Sequence, residues 1–142
     1  LASSSAASDV YKRQLFANDM FYLSFTQKDG DAMDRLWARD HPLVCIHPQR
    51  HALTDREEII SIWRGFFENP QQPGIDFYNA EAHDLGEVVL VTCYEEVAGS
   101  VLCATNGFVE ENGEIRMVHH QSSHCVTPPR PISADDAGDH ES

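Results

Sequence analysis

The chain has 142 residues and a formal net charge of −13 at pH 7, with 23 acidic against 10 basic side chains. Phosphate binding needs clustered Lys and Arg, so neither nucleic acid nor an anionic membrane surface is an expected partner. No segment approaches the roughly 20 apolar residues of a membrane-spanning helix.

Residues 1–14 differ from the rest of the chain in their apparent origin. Ser4 to Gln14 match the in-frame translation of a transposase sequencing adapter. We therefore interpret residues 1–14 as a non-native leader and expect the natural N-terminus to be missing.

Two helices are predicted next. Apolar residues recur at helical spacing over residues 16–28, which indicates an amphipathic helix that ends before Gly30. Asp31 is the expected cap of a short second helix that ends at Leu36-Trp37-Ala38.

A strand and a third helix follow. Leu43–His47 is an apolar, strand-like run that ends before Pro48. Thr54 and Glu57 have the spacing of a capping box, which predicts a helix from there to Asn69-Pro70.

Four further strands are predicted, over residues 75–83, 87–97, 101–110 and 114–124. Two-residue turns are expected at Gly99-Ser100 and at Asn112-Gly113, and the second suits a type I′ turn, which needs positive φ twice. Early helices followed by antiparallel strands favour an α+β fold in which the helices cover one face of the sheet.

The end of the chain is rich in proline and acidic side chains, so residues 126–142 are predicted to be a disordered acidic tail. Residues 15–125 then form one domain, with enough chain for one core. Four cysteines lack C-x-x-C spacing and are interpreted as reduced thiols of a cytoplasmic protein: Cys45, Cys93, Cys103 and Cys125.

The turn at Asn112-Gly113 sets the pairing of the last two strands. In a regular ladder Phe108 lies opposite Met117, and Asn106 lies opposite His119. This face is the more apolar one, so we expect it to be the concave surface under the helices. The opposite face is mixed in character and is the expected interface of a homodimer.

Polar side chains interrupt the predicted concave face. Burying them costs free energy unless they bond one another, water or a ligand, so they indicate a pocket. The predicted ligand-contacting residues on this face are Glu95, Asn106, Phe108, Met117, His119 and Gln121.

A series of short motifs occurs in one order over nearly all of residues 15–125. They are Asn18, Phe21-Tyr22, Phe25, Gly30-Asp31, Met33, Leu36-Trp37-Ala38, Cys45-Ile46-His47-Pro48, Ile60, Trp63, Asn106 and Met117-Val118-His119-His120. Jointly they resemble the SnoaL-like or ketosteroid-isomerase-like branch of the NTF2-like superfamily. The resemblance implies an NTF2-like cone: three N-terminal helices packed on a curved, mostly antiparallel sheet around an internal pocket.

The resemblance also implies cofactor-independent acid/base chemistry of isomerase, cyclase or lyase type on a small, largely apolar molecule, so no cofactor is expected. His47 stands where ketosteroid isomerases have a proton-shuttling aspartate, and it is the predicted acid/base group. The predicted polarising donors are Asn106, His119 and Tyr22, and the predicted pocket walls are Trp37 and Trp63.

Two departures from the family pattern leave an alternative open. His47 replaces an acid, and Gln121 stands where many relatives have the third of three consecutive histidines. Neither the polyketide-cyclase activity nor the ketosteroid-isomerase activity of the family is therefore assigned to this chain. The alternative is a non-catalytic ligand-binding or dimerisation module, in which the same polar groups satisfy one another.

No metal site is predicted, although the chain has eight histidines. Adjacent His119 and His120 point to opposite faces of a strand, and His120 and His124 lie roughly 13 Å apart at about 3.3 Å per residue. The geometry still permits a metal site formed across the pocket by His47, His119 and Glu95.

Overall fold

The structure is a computed structural model that describes residues 10–133. Within them lie three helices, α1 Lys12–Thr26, α2 Gly30–Leu36 and α3 Arg56–Glu68. The strands are β1 Val44–Ile46, β2 Asp76–Asp84, β3 Val89–Val97, β4 Ser100–Glu111 and β5 Glu114–His124. None of the described helices combines the length and the apolar character needed to cross a membrane.

The strands form one sheet in the order β1-β5-β4-β3-β2. β1 runs parallel to β5, and all other neighbours are antiparallel. The helices pack on this sheet, and the core between the two layers includes Phe21, Met33, Trp37, Ile59 and Met117. The predicted α+β fold, with three helices on a mostly antiparallel sheet, is confirmed.

Two helix caps differ from the prediction. Asp29 caps α2 in place of Asp31, and Asp55 caps α3 in place of Thr54. In each helix the carboxylate accepts a hydrogen bond from a first-turn backbone N–H at 3.0 Å. Asp and Thr side chains can both accept a hydrogen bond from such an N–H, and each helix start offers two such residues. The sequence alone therefore does not show which one is the cap.

The two predicted terminal segments are described only in part, because residues 1–9 and 134–142 lie outside the described residues. The described end of the predicted leader belongs to α1, which begins at Lys12. In the predicted tail, Asn79 Nδ2 donates to the Arg130 carbonyl at 3.0 Å and Asn79 Oδ1 accepts from Ile132 N at 2.8 Å. Residues 130 and 132 of the predicted disordered tail are thus bonded to β2, and the disorder predicted for residues 134–142 stays a prediction outside the described residues.

Both two-residue hairpin turns have two central residues with positive φ. Asn112 and Gly113 have φ of 51° and 81°, as predicted. The earlier turn lies at Ala98-Gly99, with φ of 50° and 83°, one residue before the predicted position. This shifts the β3–β4 pairing by two residues, so every side chain stays on its predicted face.

The pairing of β4 with β5 departs from the prediction at one point. Phe108 lies opposite Met117 as predicted, but Gly107 lies opposite His119 and Asn106 opposite His120. Val118 is therefore an extra residue, a β-bulge, and every later residue of β5 lies on the other face. The predicted pairing of Asn106 with His119 is wrong.

Gly107 permits this close approach of the strands. A Cβ atom added there would lie 3.1 Å from the His119 Cβ and 3.4 Å from the Val88 Cγ1. Glycine inside a strand often marks such a bulge or a close backbone contact. The bulge exchanges His119 and Gln121 for His120 and Ser122 on the face under the helices.

A carboxylate ties the loop between α2 and β1 to the end of β4. Glu111 accepts hydrogen bonds from Arg39 N at 3.0 Å, from Asp40 N at 2.8 Å and from His41 Nδ1 at 2.6 Å. These bonds hold the pKa of Glu111 at about 2, although its burial opposes the shift.

Candidate functional site

A cavity of about 230 Å³ lies between α3, the loop after β1 and the strands β3 to β5. Its apolar lining includes Phe25, Trp63, Phe66 and Ile75. Its polar lining includes His47, Arg50, Glu95, His120 and Ser122. A larger cleft of about 390 Å³ beside α1 is lined partly by Arg13 of the predicted leader, so it is the weaker candidate.

A directed chain of hydrogen bonds orients the His120 ring. Its Nδ1 lies 2.6 Å from Asn106 Oδ1, while Asn106 Nδ2 donates to Asn18 Oδ1 at 2.8 Å and to the Tyr22 hydroxyl at 3.1 Å. Because the amide oxygen of Asn106 can only accept, Nδ1 of His120 carries the proton. Nε2 is then a lone-pair acceptor, and it has no hydrogen-bond partner among residues 10–133.

The same chain continues to a buried acid. The Tyr22 hydroxyl donates to Glu95 Oε2 at 2.6 Å, and Glu95 is 1% exposed. Burial raises the pKa of Glu95, and the hydrogen bonds from Tyr22 and Ser122 oppose that rise. Burial and the neighbouring Glu95 raise the pKa of Tyr22 well above its ordinary value, so the phenol keeps its proton.

His47 occupies the opposite wall among aromatic rings. Its ring centroid lies 4.7 Å from that of Trp63, 5.0 Å from that of Phe66 and 6.2 Å from that of His120. Burial, aided by the charge of Arg50, lowers the pKa of His47 to about 4. Burial also lowers the pKa of His120 well below its ordinary value. Both imidazoles are therefore neutral at pH 7.

The family model for the SnoaL-like domain matches residues 15–127. The chain belongs to the SnoaL-like domain family. This SnoaL-like domain is 32% identical over 110 residues to the F-box protein SKIP8 of Arabidopsis thaliana. The match covers 75% of the chain but 47% of SKIP8, so the chain spans about half the length of that relative.

Solved structures share the fold of the SnoaL-like domain. A candidate calcium/calmodulin-dependent protein kinase type II association domain from Thiobacillus denitrificans is 28% identical, with a TM-score of 0.68 over 77% of this chain and 92% of that one. A candidate dehydratase of the NTF2-like family from Streptomyces avermitilis is 20% identical, with a TM-score of 0.74 over 82% and 97% of the two chains. The second likeness shows the fold alone.

Five predicted site residues lie at or directly behind the cavity of the SnoaL-like domain. His47, Trp63 and Glu95 line it. Asn106 and Tyr22 are buried behind His120 and Glu95 and reach the cavity only through them.

The other five predicted residues lie elsewhere. Trp37, Phe108 and Met117 are at most 1% exposed and belong to the core, outside the cavity lining. His119 and Gln121 lie on the opposite face, where His119 is within 3.1 Å of both the Thr105 hydroxyl and the Val44 carbonyl. Their predicted place on the pocket face is wrong because of the bulge at Val118.

The structure adds residues that the sequence analysis did not select. His120 and Ser122 replace His119 and Gln121, and Gly107 inside a predicted strand was the available signal for that exchange. Arg50 and Phe66 reach the cavity through the turn after β1 and the last turns of α3. No sequence pattern distinguishes them from ordinary surface and core residues.

The described residues bring together no group of three or more His, Cys, Asp or Glu side chains suited to a metal ion. The set of His47, His119 and Glu95 is not assembled, since the bulge turns His119 away from the cavity. The described cysteines are all free thiols, and burial raises the pKa of Cys45 and of Cys93 to about 12.

Proposed function

We propose that this SnoaL-like domain binds a small, largely apolar organic molecule in the cavity and performs acid/base chemistry of isomerase, cyclase or lyase type on it. The observation that supports this proposal is the oriented His120 ring, whose unpaired Nε2 acceptor lies among apolar walls. A neutral imidazole held in one tautomer is prepared to take a proton from a bound molecule.

In this proposal His120 is the base. When Nε2 takes a proton from carbon or oxygen of the ligand, the Nδ1 proton stays bonded to Asn106 Oδ1. The Asn106 dipole, and beyond it Tyr22 and Glu95, stabilise the imidazolium that forms. Asn106 and Tyr22 are positioning residues, because they act through His120.

In this proposal His47 is not the acid/base group that its sequence position predicted. Burial keeps both rings neutral at pH 7, so the choice between them rests on geometry. Asn106 fixes the tautomer of His120, whereas His47 Nε2 lies only 3.7 Å from the Cys45 thiol. A neutral imidazole N–H can still donate a hydrogen bond to a developing oxyanion. We therefore assign His47 as the polarising donor opposite the His120 base.

Exchange of an acidic C–H tests this chemistry with a simple probe. Wild-type protein should accelerate the exchange of the α-protons of 2-tetralone in D2O, followed by NMR. His120→Phe should remove about 10²- to 10⁴-fold of that acceleration, the usual size of a general-base contribution. His119→Phe, the adjacent histidine on the other face, is the matched control and should exchange at the wild-type rate. Equal rates in wild type and His120→Phe would refute the proposed base.

A second candidate function, as an association module, has its own support. The face of the sheet away from the helices includes half-buried Leu90 and Tyr94 and the 37%-exposed Val44. A relative with 28% identity is a candidate association domain. We propose that this face joins two copies of the chain in a homodimer.

Sedimentation equilibrium tests the homodimer. The wild-type chain should have twice its monomer mass of 15.9 kDa. Leu90→Lys should reduce the measured mass to that of the monomer, since an unpaired ammonium opposes burial of the face. A monomeric wild type would refute this second candidate and leave the proposed chemistry intact.

A further inference from the structure

Arg50 lies at the rim of the cavity, where it faces the aromatic wall. Its guanidinium carbon lies 5.8 Å from the centroid of the Phe66 ring, within the range of a cation–π contact. Its charge also contributes to the lowered pKa of His47, after the larger effect of burial. The side chain is exposed, so its head group is accessible to a ligand that enters from solvent.

A strained turn holds Arg50 in this place. Its backbone N–H donates to the His47 carbonyl at 3.0 Å and closes a four-residue turn through Pro48 and Gln49. Gln49 has φ of 64°, a value that turns of this kind usually assign to glycine. The chain thus adopts a disfavoured backbone conformation at the point that directs Arg50 to the rim.

Arg50 also differs from most other arginines in having no acidic partner. Each of these five forms an ion pair with a carboxylate: Arg13, Arg39, Arg56, Arg64 and Arg116. Arg50 forms none within residues 10–133, in a chain whose net charge is −13. An unpaired guanidinium beside an apolar cavity is suited to an anionic ligand group, above all a planar carboxylate.

The other end of the cavity has the opposite preference. His120 offers the Nε2 lone pair, and Glu95 offers carboxyl oxygens. These groups attract a hydrogen-bond donor and disfavour an anion. The cavity is therefore polarised, with a cation at its rim and acceptors at its deep end.

We propose that the ligand is a small carboxylic acid with a hydroxyl group at its far end. Its carboxylate pairs with Arg50, its apolar body packs against Trp63 and Phe66, and its hydroxyl donates to His120 Nε2. This inference rests on the proposed ligand-binding function and adds the chemical class of the ligand.

Matched probes test the inference. The probes are 4-hydroxybenzoate and 4-hydroxybenzamide, which share shape and hydroxyl but differ in charge. Dissociation constants come from ¹H–¹⁵N NMR titrations of the full chain at pH 7.5 and low salt. The wild type should bind the acid about tenfold more tightly than the amide, the size of one favourable charge-assisted hydrogen bond.

Two variants assign this preference to its source. Arg50→Gln should bring the acid-to-amide ratio to about one. Arg35→Gln removes another exposed arginine that has no ion pair among the described residues and lies outside this cavity, so it should keep the wild-type ratio. A ratio near one in the wild type, or a ratio that survives in Arg50→Gln, would overturn the carboxylate assignment.

The outcomes separate this inference from the function on which it rests. If the amide shifts cavity resonances and the acid binds no better, the cavity binds ligands but Arg50 does not select their charge. If neither probe shifts the resonances of cavity residues, both the inference and the proposed ligand-binding function are wrong.

Discussion

The charge state of a buried side chain follows from its surroundings, and the two cavity imidazoles illustrate this at the residue scale. His47 and His120 are each 4% exposed, and neither has an acidic group to stabilise a positive charge directly. Desolvation therefore favours the neutral form of both rings. They can accept or donate hydrogen bonds at pH 7, but they cannot supply a permanent cation there.

The low pKa of His47 predicts that acid destabilises the fold. The pKa is about 4 in the folded protein against an ordinary 6.5, so below pH 6.5 the unfolded chain binds the proton first. The free energy of unfolding should fall by roughly 3 kcal/mol from this group as the pH drops from 6.5 to 4. Urea denaturation at pH 7 and pH 4.5 measures the change.

The variant His47→Phe isolates the contribution of this ring, because other groups titrate in the same range. Its loss of stability between the two pH values should be smaller than that of the wild type. An unchanged pH dependence would show that His47 is protonated in the folded state and would contradict its assignment as a neutral donor.

Individual site residues were predictable where a motif determined both the place of the residue in its helix or strand and the face on which its side chain lies. His47 before Pro48 and Trp63 on a capped helix both line the cavity, as does Glu95 on β3. The hydrogen-bond partners of Asn106 and Tyr22 depend on residues 84 and 88 positions apart in sequence, which no local pattern specifies. Arg50 depends on a turn with Gln49 at positive φ, which glutamine rarely adopts.

At the scale of elements, the bulge in β5 decides which histidine and which neighbouring residue face the cavity. Most helix and strand bounds followed from hydrophobic spacing and turn residues to within one or two residues, but α1 begins at Lys12, four residues before its predicted start. An error of one residue in the pairing of a strand has a larger effect, because side chains alternate between faces and each one is then assigned to the wrong face. That is why the fold was predictable while the identity of the inward histidine was not.

Gly107 should be intolerant of a side chain if it permits the bulge. The added Cβ of Gly107→Ala would lie 3.1 Å from His119 Cβ, so we expect a loss of about 1–3 kcal/mol in unfolding free energy. Gly65→Ala in α3 is the matched control, because nothing lies within 4 Å of its added Cβ. It should stabilise the protein by about 0.5–1 kcal/mol, since alanine favours the helix. The same sign for both variants in denaturant titrations would contradict this reading of the bulge.

The contact between β2 and the segment that follows β5 predicts a local effect. Asn79→Gly keeps the φ of 55° accessible but removes both amide hydrogen bonds to residues 130 and 132. Amide hydrogen exchange of Ile132, whose N–H donates to Asn79 Oδ1, should become faster, while that of β3 and β4 stays unchanged. Asp76→Ala, an exposed change on the same strand, should leave the exchange of this segment as in the wild type. Equal exchange in wild type and Asn79→Gly would show that other contacts hold the segment.

At the scale of the whole molecule, the helical layer and the sheet are joined by a few polar anchors as well as by the core. Glu111 joins the loop after α2 to the end of β4, because its carboxylate accepts from two backbone N–H groups and one imidazole. Its pKa of about 2 lies below the ordinary 4.5, so its stabilising effect is complete above pH 4.5 and is lost as the pH falls toward 2.

Neutralising this anchor should destabilise the entire fold. Glu111→Gln should lower the free energy of unfolding by about 2–4 kcal/mol, because charge-assisted hydrogen bonds are lost in a buried place. Glu110→Gln is the adjacent control, and its exposed ion pair with Arg13 predicts a change within about 0.5 kcal/mol. Thermal unfolding of both variants at pH 7 compares them, and similar melting temperatures would contradict the role of Glu111.

The extra residue Val118 also bears on what the cavity would contain if the pairing of β5 with β4 shifted by one residue. If β5 paired without the bulge, His119 would turn under the helices and His120 would turn outward. Two histidines in succession therefore present an imidazole to the hollow in either alignment. In the alignment without the bulge, His119 would replace His120 at the cavity. It would have different hydrogen-bond partners, but the cavity would still contain an imidazole that can accept a proton.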